Sequence, residues 1–207
     1  MSIEERIAAA GVYRAWLCDL DGTLAETMSL HHRAYASVFA DLGGALSLED
    51  FVALAGGPAR ETISGFAAAA GVSVETPTWQ QIHRRKKDLF SSFVAAGGIA
   101  PLELAALVKA APSDIRIAVV TSGNRAGAIE IIESLGLADR VELIVSGDDV
   151  DNGKPHPEPY RKAAELLGIA PEDCLAFEDH ADGVASATAA GMTVIDVSAV
   201  ARARSHG

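Results

Sequence analysis

A chain of 207 residues has room for one domain, or for one core that carries a smaller insertion. Hydrophobic residues make up 49% of it and charged residues 22%, the balance of a globular protein that buries a sizeable core. A formal net charge of -11 excludes the basic footprint that DNA or RNA binding needs, so an anionic ligand must be held by a few local cations.

The first ten residues, "MSIEERIAAA", lack the basic start and long apolar centre of a secretory signal, and Ser2 with Glu5 reads as a capping box that opens a short helix. No apolar run approaches the roughly 18 residues of a membrane span, so a cytoplasmic protein with no membrane partner is expected. Cys18 and Cys174 both lie inside apolar runs and read as buried thiols of a reducing compartment.

The first buried strand is "YRAWLC" at 13–18, and it runs straight into "DLDGT". If the chain stays extended there, Asp19 and Asp21 share one side, because side chains alternate along a strand. Residues 25–97 then carry helical patterns at 29–42, 60–70 and 79–95 and no convincing strand. A crossover needs only a dozen or so residues, so this stretch forms a body of its own, with Phe39, Phe51, Phe66, Trp79, Phe90 and Phe93 as its apolar interior. Hinges are expected near 24–28 and 96–101, the second at Gly97-Gly98.

Four more strands follow at 115–120, 141–146, 174–177 and 193–197, with helices at 124–135, 157–167 and 180–190 between them. Continuous apolar strands alternating with helices imply a parallel sheet covered on both faces by right-handed crossovers. The fold expected is a doubly wound α/β core, residues 1–24 and 98–207, with an inserted all-helical cap, residues 25–97. The final "ARARSHG" reads as a frayed tail.

Ligands of an open α/β sheet bind beyond the carboxyl ends of its strands. Those ends deliver Asp19-Leu20-Asp21-Gly22-Thr23, then Thr121-Ser122-Gly123-Asn124, then Gly147-Asp148-Asp149 with Lys154 a few residues on, then Glu178-Asp179-His180. Two carboxylates about 4 Å apart repel by roughly 4 kcal/mol at an effective dielectric near 20. A hard divalent cation relieves that repulsion, and Mg²⁺ suits a site that pairs one or two carboxylates with a phosphate. Thr121 and the N–H groups of the 122–124 turn, at the start of a helix, suit a tetrahedral anion. Acids, a metal, a lysine and an anion cradle together describe phosphoryl transfer.

The segments "DLDGTL", "VVTSGN", "GKPHPEPY" and "FEDHADGVASATAAGM" resemble, in order and at fitting separations, the four signature motifs of the haloacid dehalogenase superfamily. The inserted helices resemble the cap of the subgroup that holds β-phosphoglucomutase and many sugar-phosphate phosphatases. The resemblance implies a Rossmann-like core in which Asp19 is the nucleophile and Asp21 the general acid and base. It implies Thr121 as the phosphate-binding hydroxyl, with Ser122, Gly123 and Asn124 beside it, and Lys154 as the cation that neutralises the nucleophile and the transferring group. The implied metal ligands are Asp19, the backbone carbonyl of Asp21, Asp179 and, directly or through water, Glu178. Asp148 and Asp149 suit either a water-mediated metal contact or turn formation.

In the cap, the resemblance implies substrate contacts from His31, Arg60 and Lys86, while His32 reads as structural. The sequence departs from the subgroup at His180, where serine commonly follows the acidic pair, at Glu26, where aspartate is frequent, and at "GGIAPLEL", which replaces a proline-glycine turn. The function implied is a Mg²⁺-dependent phosphatase acting on a small phosphorylated metabolite, a sugar phosphate above all. A β-phosphoglucomutase-like phosphomutase and an inactive module that only binds such a metabolite stand as alternatives. The expected solution state is a monomer or a weak homodimer.

Overall fold

The computed structural model describes residues 1–55, 59–74 and 77–198. A short helix α1 (Ile3–Ala10), opened by the Ser2–Glu5 capping box, precedes strand β1 (Ala15–Cys18) and the two-residue β2 (Ala25–Glu26). Helices α2 (Met28–Asp41), α3 (Leu48–Leu54), α4 (Ala59–Ala69) and α5 (Trp79–Ala95) follow. The chain continues through β3 (Ala100–Pro101), α6 (Glu103–Ala110), β4 (Arg116–Val120), α7 (Arg125–Ser134) and β5 (Val141–Val145). It ends its described part with α8 (Glu158–Leu167), β6 (Cys174–Glu178), α9 (Ala181–Ala190) and β7 (Thr193–Asp196).

Two compact units result, Met1–Glu26 with Ile99–Gly207, and Thr27–Gly98. The first unit reaches two residues further than position 24 because Ala25 and Glu26 pair antiparallel with Pro101 and Ala100, a small ladder that ties both crossing strands to this unit. Two-residue strands carry no alternation to read, so the sequence pattern does not announce them.

In the first unit the five parallel strands stand in the order β5-β4-β1-β6-β7. The chain builds outward from β1 on one side and then returns to its other side, which opens a crevice at the carboxyl edge beside β1. All four β1 residues are buried. Leu17 pairs with Ala118 and Ala176, and Cys18 with Val119 and Phe177. Ala15, Leu17, Ala118, Val120 and Ala176 point into a core shared with Tyr160, Ala163, Ala164 and Leu167 of α8 and Ala187 and Ala190 of α9. Both cysteines are buried and unpaired, and burial raises each thiol pKa.

The second unit is all-helical among its described residues. Tyr35, Val38, Phe39, Phe51, Ile63, Phe66 and Ile82 form its centre. Phe90 is also buried, whereas Trp79 and Phe93 are only partly covered; the Arg33 guanidinium lies 4.0 Å over the Phe93 ring. Helix α3 was not expected from periodicity, since seven residues barely make two turns. Its signal is the cap: Ser47 Oγ accepts from the Asp50 N–H at 3.0 Å. His32 donates from Nε2 to the Leu46 carbonyl at 3.0 Å, in keeping with a structural role. Among the described residues no helix is long and apolar enough to cross a membrane. The 199–207 tail lies outside the described residues.

Candidate active site

Strand β1 hands its last buried position to Asp19, whose N–H still donates to the Phe177 carbonyl at 3.0 Å. The extended run stops there. The Leu20 carbonyl accepts from the N–H groups of Leu24 and Ala25, both at 3.0 Å, and Asp21 is bridged to Ala25 within that turn. The strand ends at Cys18, so Asp19 follows it directly and Asp21 belongs to the turn. Gly22 permits the turn with φ +85, and a side-chain carbon there would lie 2.2 Å from Asp179 Oδ2. The turn and the Asp179 carboxylate occupy the space that any other residue needs.

The register places Asp19 beside the end of β6, where Glu178 is the last strand residue and 1% exposed. Lys154 reaches both acids. Its Nζ donates to Asp19 Oδ1 at 2.7 Å, to Glu178 Oε1 at 2.6 Å and to the Val120 carbonyl at 2.8 Å, which commits all three ammonium hydrogens. The Tyr160 hydroxyl donates to the same Glu178 Oε1 at 2.6 Å. Asp179 accepts weakly from Thr23 Oγ1 at 3.4 Å.

Electrostatics follow from that count. Burial, with Glu178 and Asp21 nearby and only Lys154 opposing, pushes the Asp19 carboxyl up to about 7. Burial and then Glu178 raise Asp179 as well. Burial works against the Lys154 charge, but Asp19 and Glu178 outweigh it and hold the ammonium above its ordinary value.

On the other side of β1, Thr121 is buried, and its Oγ1 accepts from the Gly123 N–H at 3.0 Å. A side-chain carbon at Gly123 would lie 3.2 Å from Thr121 Oγ1 and 4.0 Å from Asp21 Oδ2, so Asp21 and this loop meet. Asn124 caps α7 by accepting from the Gly127 N–H at 3.0 Å. The Gly123 N–H is thus committed inside the loop, and an anion at this helix start would draw on the Thr121 hydroxyl and the neighbouring N–H groups.

Asp148 and Asp149 form turn structure. Asp148 Oδ2 accepts from the Arg125 N–H at 2.9 Å; Asp149 Oδ2 accepts from Ser146 N–H and Oγ and from the Arg125 guanidinium at 2.8 Å. The Gly147 N–H donates to the Gly123 carbonyl at 2.8 Å, joining the loops after β4 and β5.

In the helical unit, Lys86 and His31 come together: Lys86 Nζ is 2.7 Å from His31 Nδ1, and the imidazole stacks on Phe90 at 4.2 Å. Lys86 is only 8% exposed, and its ammonium lies 5.3 Å from the Tyr35 ring centre. Arg60 is exposed near the start of α4, directly after residues 56–58, which lie outside the described residues.

Asp19, Glu178 and Asp179 each present a ligand oxygen within 4.8 Å of the others. The Asp21 carboxylate stands outside that group. Three carboxylates stand against one ammonium, and burial first, then the neighbouring carboxylates, raise Asp19 and Asp179. This donor set fits a hard divalent cation such as Mg²⁺.

Three residues that matter here were not singled out from sequence. Tyr160 ends the "GKPHPEPY" segment, Gly183 lies in "FEDHADGV", and Arg125 follows "VVTSGN". A side-chain carbon at Gly183 would lie 2.0 Å from the Glu178 carboxyl carbon. Their place inside or beside the motifs was the available signal.

The family model described as haloacid dehalogenase-like hydrolase matches residues 16–197. Protein CbbY of Rhodobacter capsulatus is 34% identical over 192 residues, covering 88% of this chain and 84% of its own. The fructose-1-phosphate phosphatase YqaB of Escherichia coli is 28% identical over 185 residues, covering 89% of this chain and 96% of its own. The crystal structure of CbbY from Rhodobacter sphaeroides in complex with phosphate superposes with a TM-score of 0.76 at 32% identity, covering 89% of this chain and 86% of that one.

Proposed function

We propose that this phosphatase, which belongs to the haloacid dehalogenase-like hydrolase family, uses Mg²⁺ to hydrolyse a small sugar phosphate through an aspartyl-phosphate intermediate. The observation that carries the reading is the cluster in which Asp19, Glu178 and Asp179 present oxygens within 4.8 Å of one another while Lys154 bonds the first two. The sugar phosphate as substrate draws on the fructose-1-phosphate phosphatase among its relatives.

Lys154 holds Asp19 Oδ1, so Asp19 Oδ2 is the oxygen that attacks phosphorus. As that bond forms, the bond from phosphorus to the sugar oxygen breaks, and Asp21 gives the departing oxygen its proton. Water then attacks the phosphorus and loses a proton to Asp21; the bond to Asp19 breaks and inorganic phosphate leaves. Thr121 and the N–H groups beside it hold the phosphoryl oxygens through both steps. Mg²⁺, held by Asp19, Asp179, Glu178 and the Asp21 carbonyl, supplies charge neutralisation for the phosphoryl group. Within this proposal the helical unit is the cap, and His31, Arg60 and Lys86 select the sugar.

Phosphate release from a panel of sugar phosphates tests the reading. Turnover is expected with Mg²⁺, none with EDTA and none in Asp19→Asn. Conversion of β-glucose 1-phosphate to glucose 6-phosphate without phosphate release would replace hydrolysis by a mutase reaction. Tight binding with no turnover of any compound would replace it by a sensing module.

A further inference from the structure

We propose that Tyr160 is a positioning residue of the metal site, acting through Glu178. The inference rests on the Mg²⁺ reading of the acidic cluster. Tyr160 lies on α8 and is 0% exposed, in the apolar core beneath the sheet. An apolar ring of the same size would fill that place equally well, and a buried hydroxyl is costly unless it finds a partner. Its partner is Glu178 Oε1, at 2.6 Å.

Oε1 is engaged a second time, by Lys154 Nζ at 2.6 Å. Two donors on one oxygen leave Oε2 as the oxygen that Glu178 offers the cluster. A third element completes the seat. The backbone of Gly183 lies against the carboxylate so closely that a side-chain carbon there would stand 2.1 Å from each oxygen. Glu178 is therefore held from three directions, by a phenol on α8, an ammonium from the loop after β5 and the bare backbone of α9. Lys154 is shared with Asp19, whereas among the described residues the Tyr160 hydroxyl serves Glu178 alone. Without it Oε1 keeps one donor of two, and the carboxylate gains freedom to turn away from the ligand geometry.

Outer partners of metal-ligating side chains typically contribute about 10- to 100-fold in metal affinity. Calorimetric titration of metal-free protein with Mg²⁺ is the direct test. Tyr160→Phe is expected to keep the thermal midpoint of the metal-free protein near wild type, to weaken Mg²⁺ binding about 10-fold or more, and to raise the Mg²⁺ concentration for half-maximal turnover in proportion. In a Glu178→Gln background the same tyrosine change is expected to have no further effect on Mg²⁺ affinity. Unchanged or tighter Mg²⁺ binding in Tyr160→Phe overturns the inference and leaves the phosphatase reading standing, as does an equal loss in both backgrounds. A wild-type protein that takes up no Mg²⁺ at all overturns the metal site itself, and this inference with it.

Discussion

The Lys154 ammonium donates to Asp19 Oδ1 at 2.7 Å from a side chain that is only 7% exposed. The same ammonium holds Glu178, so removing it leaves two carboxylates buried beside one another with no cation between them. Breaking a buried pair in this way costs about 3–5 kcal/mol, which corresponds to a fall of roughly 6–20 °C in melting temperature for a chain of this length. Lys154→Met is expected to show that fall in EDTA and to recover part of it in Mg²⁺, while hydrolysis drops by about 100-fold or more. Scanning calorimetry with and without Mg²⁺ checks the pair; an unchanged midpoint in EDTA would mean that it contributes nothing to folding.

Gly22 and Gly43 separate backbone strain from site geometry. Both hold positive φ, +85 and +81, yet a side-chain carbon at Gly43 meets nothing within 4 Å while one at Gly22 meets Asp179 Oδ2 at 2.2 Å. Gly43→Ala is expected to cost only the left-handed strain, about 1–2 kcal/mol. Gly22→Ala carries that strain and also displaces Asp179, so it is expected to lower Mg²⁺ affinity by about 10-fold or more. Urea unfolding of both variants together with Mg²⁺ titration checks the contrast, and equal Mg²⁺ affinity in the two would refute it.

How far the sequence foretold this site depends on the range of the contacts. The five core strands are continuous apolar runs that end on turn residues, so the strands and the groups just beyond them, Asp19, Thr121 and Asp179, were legible. Glu178 was read as following its strand and in fact ends it. Pairings across long separations were not legible: Tyr160 reads as one more aromatic on a core helix until its hydroxyl is seen at Glu178, and Arg125 reads as a surface residue until Asp149 is seen beneath it. The Asp19–Asp21 relation also involves the turn, because the strand ends one residue before Asp19 and Asp21 lies within the turn. In the helical unit, nothing in either helix pattern announces that Lys86 meets His31.

Asp149 gives the loop after β5 a pH dependence. The Arg125 guanidinium, with Ser146 and its N–H, holds this carboxyl at about 2, below the ordinary 3.8. A depressed folded pKa contributes stability that is complete above the unfolded value and is lost as the pH falls from about 4 towards 2. Asp149→Asn is expected to be less stable than wild type at pH 5 and to lose less between pH 5 and pH 3, measured by urea unfolding at each pH. Because the same network ties Ser146 and Gly147 to the Thr121–Asn124 loop, the variant is also expected to raise KM for a phosphate ester severalfold. Parallel losses for variant and wild type between the two pH values would remove Asp149 from the acid limb.

Lys86 tests the part assigned to the helical unit. Its ammonium is nearly buried, 2.7 Å from His31 Nδ1 and 4.9 Å from the Phe90 ring centre. Within the cap reading a nearly buried ammonium acts strongly on an anionic or polyhydroxyl ligand, since burial strengthens its field. Lys86→Met keeps the length of the stem and its contact with Tyr35 and Phe90, so the fold is expected to persist. KM for a sugar phosphate is expected to rise about 10-fold or more, the scale of one charged hydrogen bond, while hydrolysis of p-nitrophenyl phosphate, which carries no sugar hydroxyls, stays within about twofold of wild type. Steady-state kinetics on the two substrates decide it: equal losses on both place Lys86 in the chemistry common to all esters, and no loss on either confines it to holding the helices together.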